Sequence, residues 1–537
     1  MTVRLTWVQP EDLITHELRQ AAEDGRDATA VRTRWQSAGG PPSPPRAGAS
    51  LAPAPPHLRA LAERLLDALS QLPVPTAASE PTDLPAIESA CPAWPAPGTR
   101  APAPPTAAVK VLVGVARPDP AAPVHSPPGG DGSGRSPQGA GHRAPEHTAA
   151  LPARTAPEAT LRRGSDHEAL ANGGRARTPE ATTAPLLNRL HASWLGRAAG
   201  CLLGKPVEKL SLPAIRELAT ATGNWPLRTW FTARGVPPAL LARHPWNRRS
   251  APTSLAENIN GMPEDDDLNY PLLNLLLLQR HTKSFTTSQL ATLWLDELPA
   301  GRTFTAERIA YRNLLQGLTP PATATHHNPF REWIGALIRA DVHGWTHPGD
   351  PAAAAGQAHR DATLTHTANG VYGAMFIAAT IAEAAAGAGD VHHCLRTGLT
   401  VVPPDSRLAR AVRHGIETAA RASGDSFDTV VDELHAAYGH HHWVHVIPNA
   451  ALISAALTHA DGDFTASICR AVSGGWDTDS NGATTGSIAG LVAGSPQAIP
   501  TRWTAPLRNR LATSVAGLDG IGFDTLAHLT LTEALRP

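Results

Sequence analysis

Apolar positions recur at helical spacing over most of the second half of the chain. Leu186, Leu187, Leu190, Trp194, Leu195, Ala198, Ala199 and Leu202 form one stripe, which ends at Gly204-Lys205-Pro206-Val207-Glu208. This i, i+3, i+4 pattern predicts a helix with one buried face. Further helices are predicted from Leu272 to Leu278 and on into Gln279, and over His366–Ala386, Arg407–Ala420, Phe427–Tyr438, Asn449–Ala460 and Phe464–Val472. No run alternates apolar and polar residues with a period of two, so the expected class is all-α. Near the N-terminus, Pro10-Glu11-Asp12 opens a helix with an early proline and first-turn acids. Leu58, Leu61, Leu65, Leu66 and Leu69 mark a second helix, from His57 to Leu72. Residues 1–90 read as a small helical module without catalytic spacing, a helical hairpin or else an interaction module.

Composition then divides the 537 residues. Residues 91–184 are rich in Pro, Gly, Ala and Ser and cannot bury enough apolar area to offset chain entropy. They are expected to be a disordered linker, with Val109–Val115 as an isolated strand or docking segment. Residues 185–537 form the main domain. The net charge of −1 carries no electrostatic footprint for nucleic acid. Four scattered cysteines fit neither a disulfide framework nor a thiolate zinc site, which suits a reducing cytoplasm. The N-terminus lacks a signal-peptide pattern. The most apolar run, Pro448–Leu457, is well short of the roughly 18 residues of a membrane span.

Two acidic clusters carry the chemistry. The first to stand out is Ser473-Gly-Gly-Trp-Asp-Thr-Asp-Ser-Asn-Gly482, where a glycine turn delivers Asp477, Asp479 and the Ser480 hydroxyl. Glycines follow at 482, 486, 490 and 494. Such a row weakens a helix by roughly 0.8–1 kcal/mol per glycine, and so implies that another backbone approaches that face. Carboxylate and hydroxyl oxygens on a tight loop suit a hard divalent cation. Ordinary helix capping is the competing reading. An EF-hand is excluded, because Ile488 stands where its bidentate glutamate belongs. The second cluster, Glu264-Asp265-Asp266-Asp267, precedes an apolar helix. One or two acids would complement the helix dipole, whereas four in a row repel one another until a cation relieves them. Facing helix termini in a bundle bring such loops together, at a spacing suited to activating water.

Two more clusters are weaker signals. Arg360-Asp-Ala-Thr-Leu-Thr-His366 offers Asp361 and His366 to a substrate pocket, or His366 to a cap or core contact. In Gly439-His-His-His-Trp-Val-His445 only His441 and His445 share a helix face, which argues against zinc.

In chain order these motifs resemble the ADP-ribosylglycohydrolase family. The resemblance rests on Trp194-Leu-Gly-Arg-Ala-Ala-Gly-Cys-Leu-Leu-Gly-Lys-Pro-Val-Glu208, Pro263-Glu-Asp-Asp-Asp267, Leu364-Thr-His366 and Gly474-Gly-Trp-Asp-Thr-Asp-Ser-Asn-Gly482. It covers roughly residues 185–500. It implies an all-α orthogonal multi-helix domain holding two magnesium ions, manganese being the alternative, in a cleft for ADP-ribose. By motif, Glu264, Asp265 and Asp266 would serve one ion, and Asp477, Asp479 and Ser480 the other, with Asp479 bridging. Glu208 would assist catalysis together with Asp266 and Asp479. His366, Asp361 and the backbone around Gly335 and Gly370 would line the substrate pocket. Cys201 replaces the family's usual aspartate, and Glu264 and Asp267 replace its threonines, so the register Asp265-Asp266-Asp267 stays open. The implied activity is hydrolysis of the bond between ADP-ribose and a protein or small-molecule acceptor, in the cytoplasm, without nucleic-acid or membrane partners. A non-catalytic ADP-ribose sensor and a hydrolase of another N- or O-glycoside are the rivals.

Overall fold

The computed structural model describes residues 4–42, 50, 52–96, 179–387, 390–422, 424 and 426–537. Most of the expected linker, including Val109–Val115, lies outside the described residues. Among the described residues every regular element is a helix, and β pairing is limited to isolated bridges such as Trp333–His445. The fold is therefore all-α. Helix ends differ from expectation by a few residues. The helix expected from Asn449 begins at Val446, because Pro448 falls in its first turn, where a missing N–H is tolerated. No helix among the described residues is long and apolar enough to cross a membrane.

Five helices position the site: α1 (Pro10–Glu23), α2 (Pro179–Gly204), α3 (Asp266–His281), α4 (Thr305–Leu315) and α5 (Thr478–Ala493). The glycine row of α5 meets a second such row on α2. A methyl group on Gly200 would overlap the carbonyl of Gly482, one on Gly196 that of Gly486, and one on Gly204 that of Thr478. The two helices run antiparallel with their backbones in contact, and dispersion across this close seam offsets the low helix propensity of glycine. Gly494 does not belong to the row. It caps α5 at φ 82° with open space around it. The seam has a consequence for chemistry: it sets the end of α2, with Lys205 and Glu208, beside the start of α5, with Asp477 and Asp479. Thr478 Oγ1 donates to the Gly204 carbonyl at 2.8 Å and locks that end.

The described residues between 4 and 96 pack on the same body. Trp7, Leu13, Ile14 and Leu18 join one continuous core with Phe330 and Trp333. The contact between this segment and the rest of the domain also holds charge. Arg331 pairs with Glu17 at 2.8 Å and with Asp24 at 2.7 Å, while Arg407 pairs with Glu80 at 2.7 Å and Glu332 at 2.8 Å. Glu23 faces His441 Nδ1 at 3.4 Å and His445 Nε2 at 3.2 Å, so the histidine cluster meets a carboxylate of α1. Removing one member of such a buried pair typically costs about 3–5 kcal/mol.

Candidate active site

The two acidic loops, far apart in sequence, line one cleft of about 770 Å³. Glu264, Asp265 and Asp266 approach from the start of α3, and Asp477, Asp479 and Ser480 from the start of α5. Glu208 enters from the end of α2, and Gly335 lies among the remaining lining residues. The α5 loop is bent by consecutive left-handed residues, Gly475 at φ 80° and Trp476 at φ 54°. A tryptophan there needs support, and it stacks on His435 at 3.8 Å between ring centroids while His435 Nε2 bonds the Gly474 carbonyl at 2.8 Å. The capping reading separates the two loops. Asp265 does cap α3, accepting from the Asp267 amide at 2.9 Å, whereas Asp477 makes no capping bond on α5.

Most carboxylates of the cleft already have a cation from this chain. Lys205 lies on Asp265; Arg302 pairs with Glu264 at 2.8 Å; Lys209 pairs with Glu208 at 2.5 Å; and Arg339 pairs with Glu307 at 2.6 Å. Asn247 adds a bond to Glu208 at 2.7 Å. Among the described residues Asp266, Asp477 and Asp479 make no ion pair. Burial, followed by the charges of Glu208 and Asp265, pushes Asp479 up to about 7. Asp266 and Asp477 are also raised well above the carboxylate range, by burial first and then by Asp265 and Asp479 respectively. Burial works against the charge on Lys205, but Asp265 together with Cys201 and Asp479 outweighs it and the pKa is raised.

Asp267 points away from the cleft. It sits behind, 3.5 Å from Arg197 and 3.6 Å from the Cys201 thiol, so the Cys201 replacement faces an internal carboxylate. Three carboxylates without a basic partner, with a hydroxyl at Ser480, form a donor set that fits a hard divalent cation. Glu264 and Asp265 line the same space, but their oxygens are engaged by Arg302 and Lys205.

The pocket expected around Asp361, His366 and Gly370 needs correction, since none of the three lines the cleft. Asp361 is buried between Arg339 at 2.5 Å and His343 at 2.8 Å, and its pKa falls to about 2 because burial, which raises it, is outweighed by Arg339 and His343 together. His366 is fully buried, bonded through Nδ1 to Thr365 Oγ1 at 2.6 Å, with Glu307 at 3.9 Å. Burial drives its pKa well below the usual value and keeps the ring neutral. Gly370 is required by the Arg331 carbonyl, which occupies the space of a side chain. These residues form the layer behind Glu307, itself a cleft residue that sequence reasoning missed. In Thr305-Ala-Glu-Arg308 it reads as an ordinary first-turn acid. Lys205, Asn247, Asn269 and Arg308, and Thr6 and Trp7 from the N-terminal segment, are further lining residues without a sequence signal.

Comparison with known proteins adds two findings. A family profile described as ADP-ribosylglycohydrolase matches residues 182–533. A solved structure of an ADP-ribosylglycohydrolase-related protein complex aligns with a TM-score of 0.39 at 21% identity, covering 66% of this chain and 98% of that one. No curated protein matches the sequence.

Proposed function

The chain belongs to the ADP-ribosylglycohydrolase family, and from that premise we propose that it hydrolyses the glycosidic bond between ADP-ribose and an acceptor. The observation that carries this reading is the trio Asp266, Asp477 and Asp479, which among the described residues make no ion pair in a cleft where each of the other carboxylates has a cation of this chain beside it. Two magnesium ions, or manganese, would be held by this trio and the Ser480 hydroxyl. Asp265 and Glu264 would join by releasing Lys205 and Arg302. When bound, such ions supply positive charge that acidifies a water and holds sugar hydroxyls.

Glu208 is the proton-transfer residue in this reading. Lys209 and Asn247 fix its carboxylate at the cleft wall, within a hydrogen-bonded frame suited to general acid–base work. Water oxygen bonds to the anomeric carbon, the bond to the acceptor breaks, and the proton lost by water is matched by one delivered to the leaving group. The developing oxocarbenium character is stabilised by the surrounding carboxylates.

Lys205 on Asp265 favours a second reading, a non-catalytic ADP-ribose binder, because an ammonium already neutralises one of the ion-binding carboxylates. A release assay with magnesium on ADP-ribosyl-arginine and ADP-ribosyl-serine, run beside calorimetry with ADP-ribose, separates the two. Release supports the hydrolase; binding without release from either substrate supports the sensor.

A further inference from the structure

Five basic side chains line the cleft: Lys205, Lys209, Arg249, Arg302 and Arg308. Three rest on carboxylates, as described above. Among the described residues Arg249 and Arg308 make no ion pair. Arg308 is 9% exposed, and its guanidinium donates to uncharged oxygens. It reaches the Thr6 hydroxyl at 2.8 Å, the Thr6 carbonyl at 3.2 Å, the Gly301 carbonyl at 3.4 Å and Thr303 Oγ1 at 3.5 Å. Its pKa is lowered, by burial first and by the nearby charge of Arg249 as well, so the two arginines share one electrostatic environment.

Thr6 lies outside the family-matched segment, so this contact belongs to the N-terminal part of the chain. It is held firmly. Trp7 adopts φ 68°, a strained conformation for a bulky residue, and its ring packs edge-on against Phe330 at 5.5 Å and Trp333 at 5.8 Å. The cleft thus combines an acidic end, where α3 and α5 start with Asp266 and Asp479, with two arginines, Arg308 and Arg249, that no carboxylate among the described residues neutralises. A ligand suited to it presents both hydroxyls and an anion.

We propose that Arg308, set in place by Thr6 of the N-terminal segment and supported by Arg249, is the specificity-determining residue that takes the diphosphate of the ligand. The inference rests on the ADP-ribose reading above. Thr6 takes both Nη1 hydrogens and so fixes the plane of the guanidinium, while Gly301 takes one hydrogen of Nη2; the second Nη2 hydrogen and the full positive charge are left for a phosphate oxygen.

Calorimetry on the full chain tests this, with ADP-ribose and ADP as probes over a range of salt, for wild type, Arg308→Gln, Arg308→Lys and Thr6→Val. Manganese binding to each variant reports whether the acidic end is intact. Arg308→Gln should weaken both probes at least tenfold, flatten the salt dependence and leave manganese affinity unchanged. Arg308→Lys should recover part of the loss, and Thr6→Val should show a smaller loss of the same kind. Wild-type affinity for ADP-ribose in Arg308→Gln overturns the inference and leaves the ADP-ribose reading standing. An equal loss of ADP-ribose and manganese binding also overturns it, by showing a structural role. A wild-type chain that binds neither ADP-ribose nor ADP removes the reading of the cleft itself.

Discussion

The ammonium of Lys205 rests on the carboxylate of Asp265, where the end of α2 meets the start of α3. Both side chains are only 8% exposed, so neither charge is stable without the other or a substitute. An acidic loop that would otherwise repel itself is thereby neutralised in part by the chain, while among the described residues Asp266, Asp477 and Asp479 have no such ion pair.

Lys205→Met should therefore make folding depend on divalent ions. In chelator the variant should lose about 3–5 kcal/mol, the typical result of leaving a buried carboxylate unpaired. Magnesium should restore most of it. Thermal melts with and without the ion check this, and an equal fall in both conditions contradicts the role given to Lys205.

Asp479→Asn should abolish release of ADP-ribose while the protein stays folded. In the folded chain without ions Asp479 has a pKa raised from 3.8 to about 7. Between those values the folded state holds more protons than the unfolded state, so stability falls as pH rises through the interval. The asparagine variant removes that contribution, and its stability should vary less between pH 4 and 7. Retained turnover in Asp479→Asn refutes its catalytic place.

Cations held by Asp266, Asp477 and Asp479 would compete with protons there, because the pKa values of all three are raised. Magnesium or manganese should bind more tightly at pH 8 than at pH 6 and release protons on binding. Calorimetry in buffers of different ionisation enthalpy measures the number released, and pH-independent affinity with none released counts against these ligands.

The layer behind Glu307 should govern stability more than recognition. Asp361→Asn weakens the ion pair to Arg339, so the melting temperature should drop while affinity for ADP-ribose stays within about threefold. Arg339→Met takes the arginine from two buried carboxylates, Glu307 and Asp361, and should cost about 3–5 kcal/mol. If Asp361→Asn instead loses binding at unchanged stability, the residue reaches the ligand after all.

Gly200→Ala should be among the most damaging single-methyl changes, because the new group has only the Gly482 carbonyl to enter and backbone cannot step aside. A loss of about 3 kcal/mol or more is expected, against about 1–2 kcal/mol for Gly494→Ala, where only the left-handed conformation resists. Denaturant unfolding of the two variants makes the comparison.

Local chemistry determined a good part of this protein. The 3.6-residue periodicity marked the helices, the glycine row on α5 implied a backbone neighbour, and Gly474-Gly475 with Asp477 and Asp479 marked a sharply bent acidic loop, because each of these signals is complete within one or two turns of chain. What only the tertiary structure decided is which group meets which. Nothing in Gly-Lys-Pro-Val-Glu says that Lys205 neutralises Asp265, and nothing near His366 says that it faces Glu307 from behind the cleft. Nor does any spacing tell that Thr6 orients Arg308. Those pairings follow from the angles at which helices cross, set by contacts such as the α2–α5 glycine seam, and a charge acquires its role from the neighbours that such crossings supply.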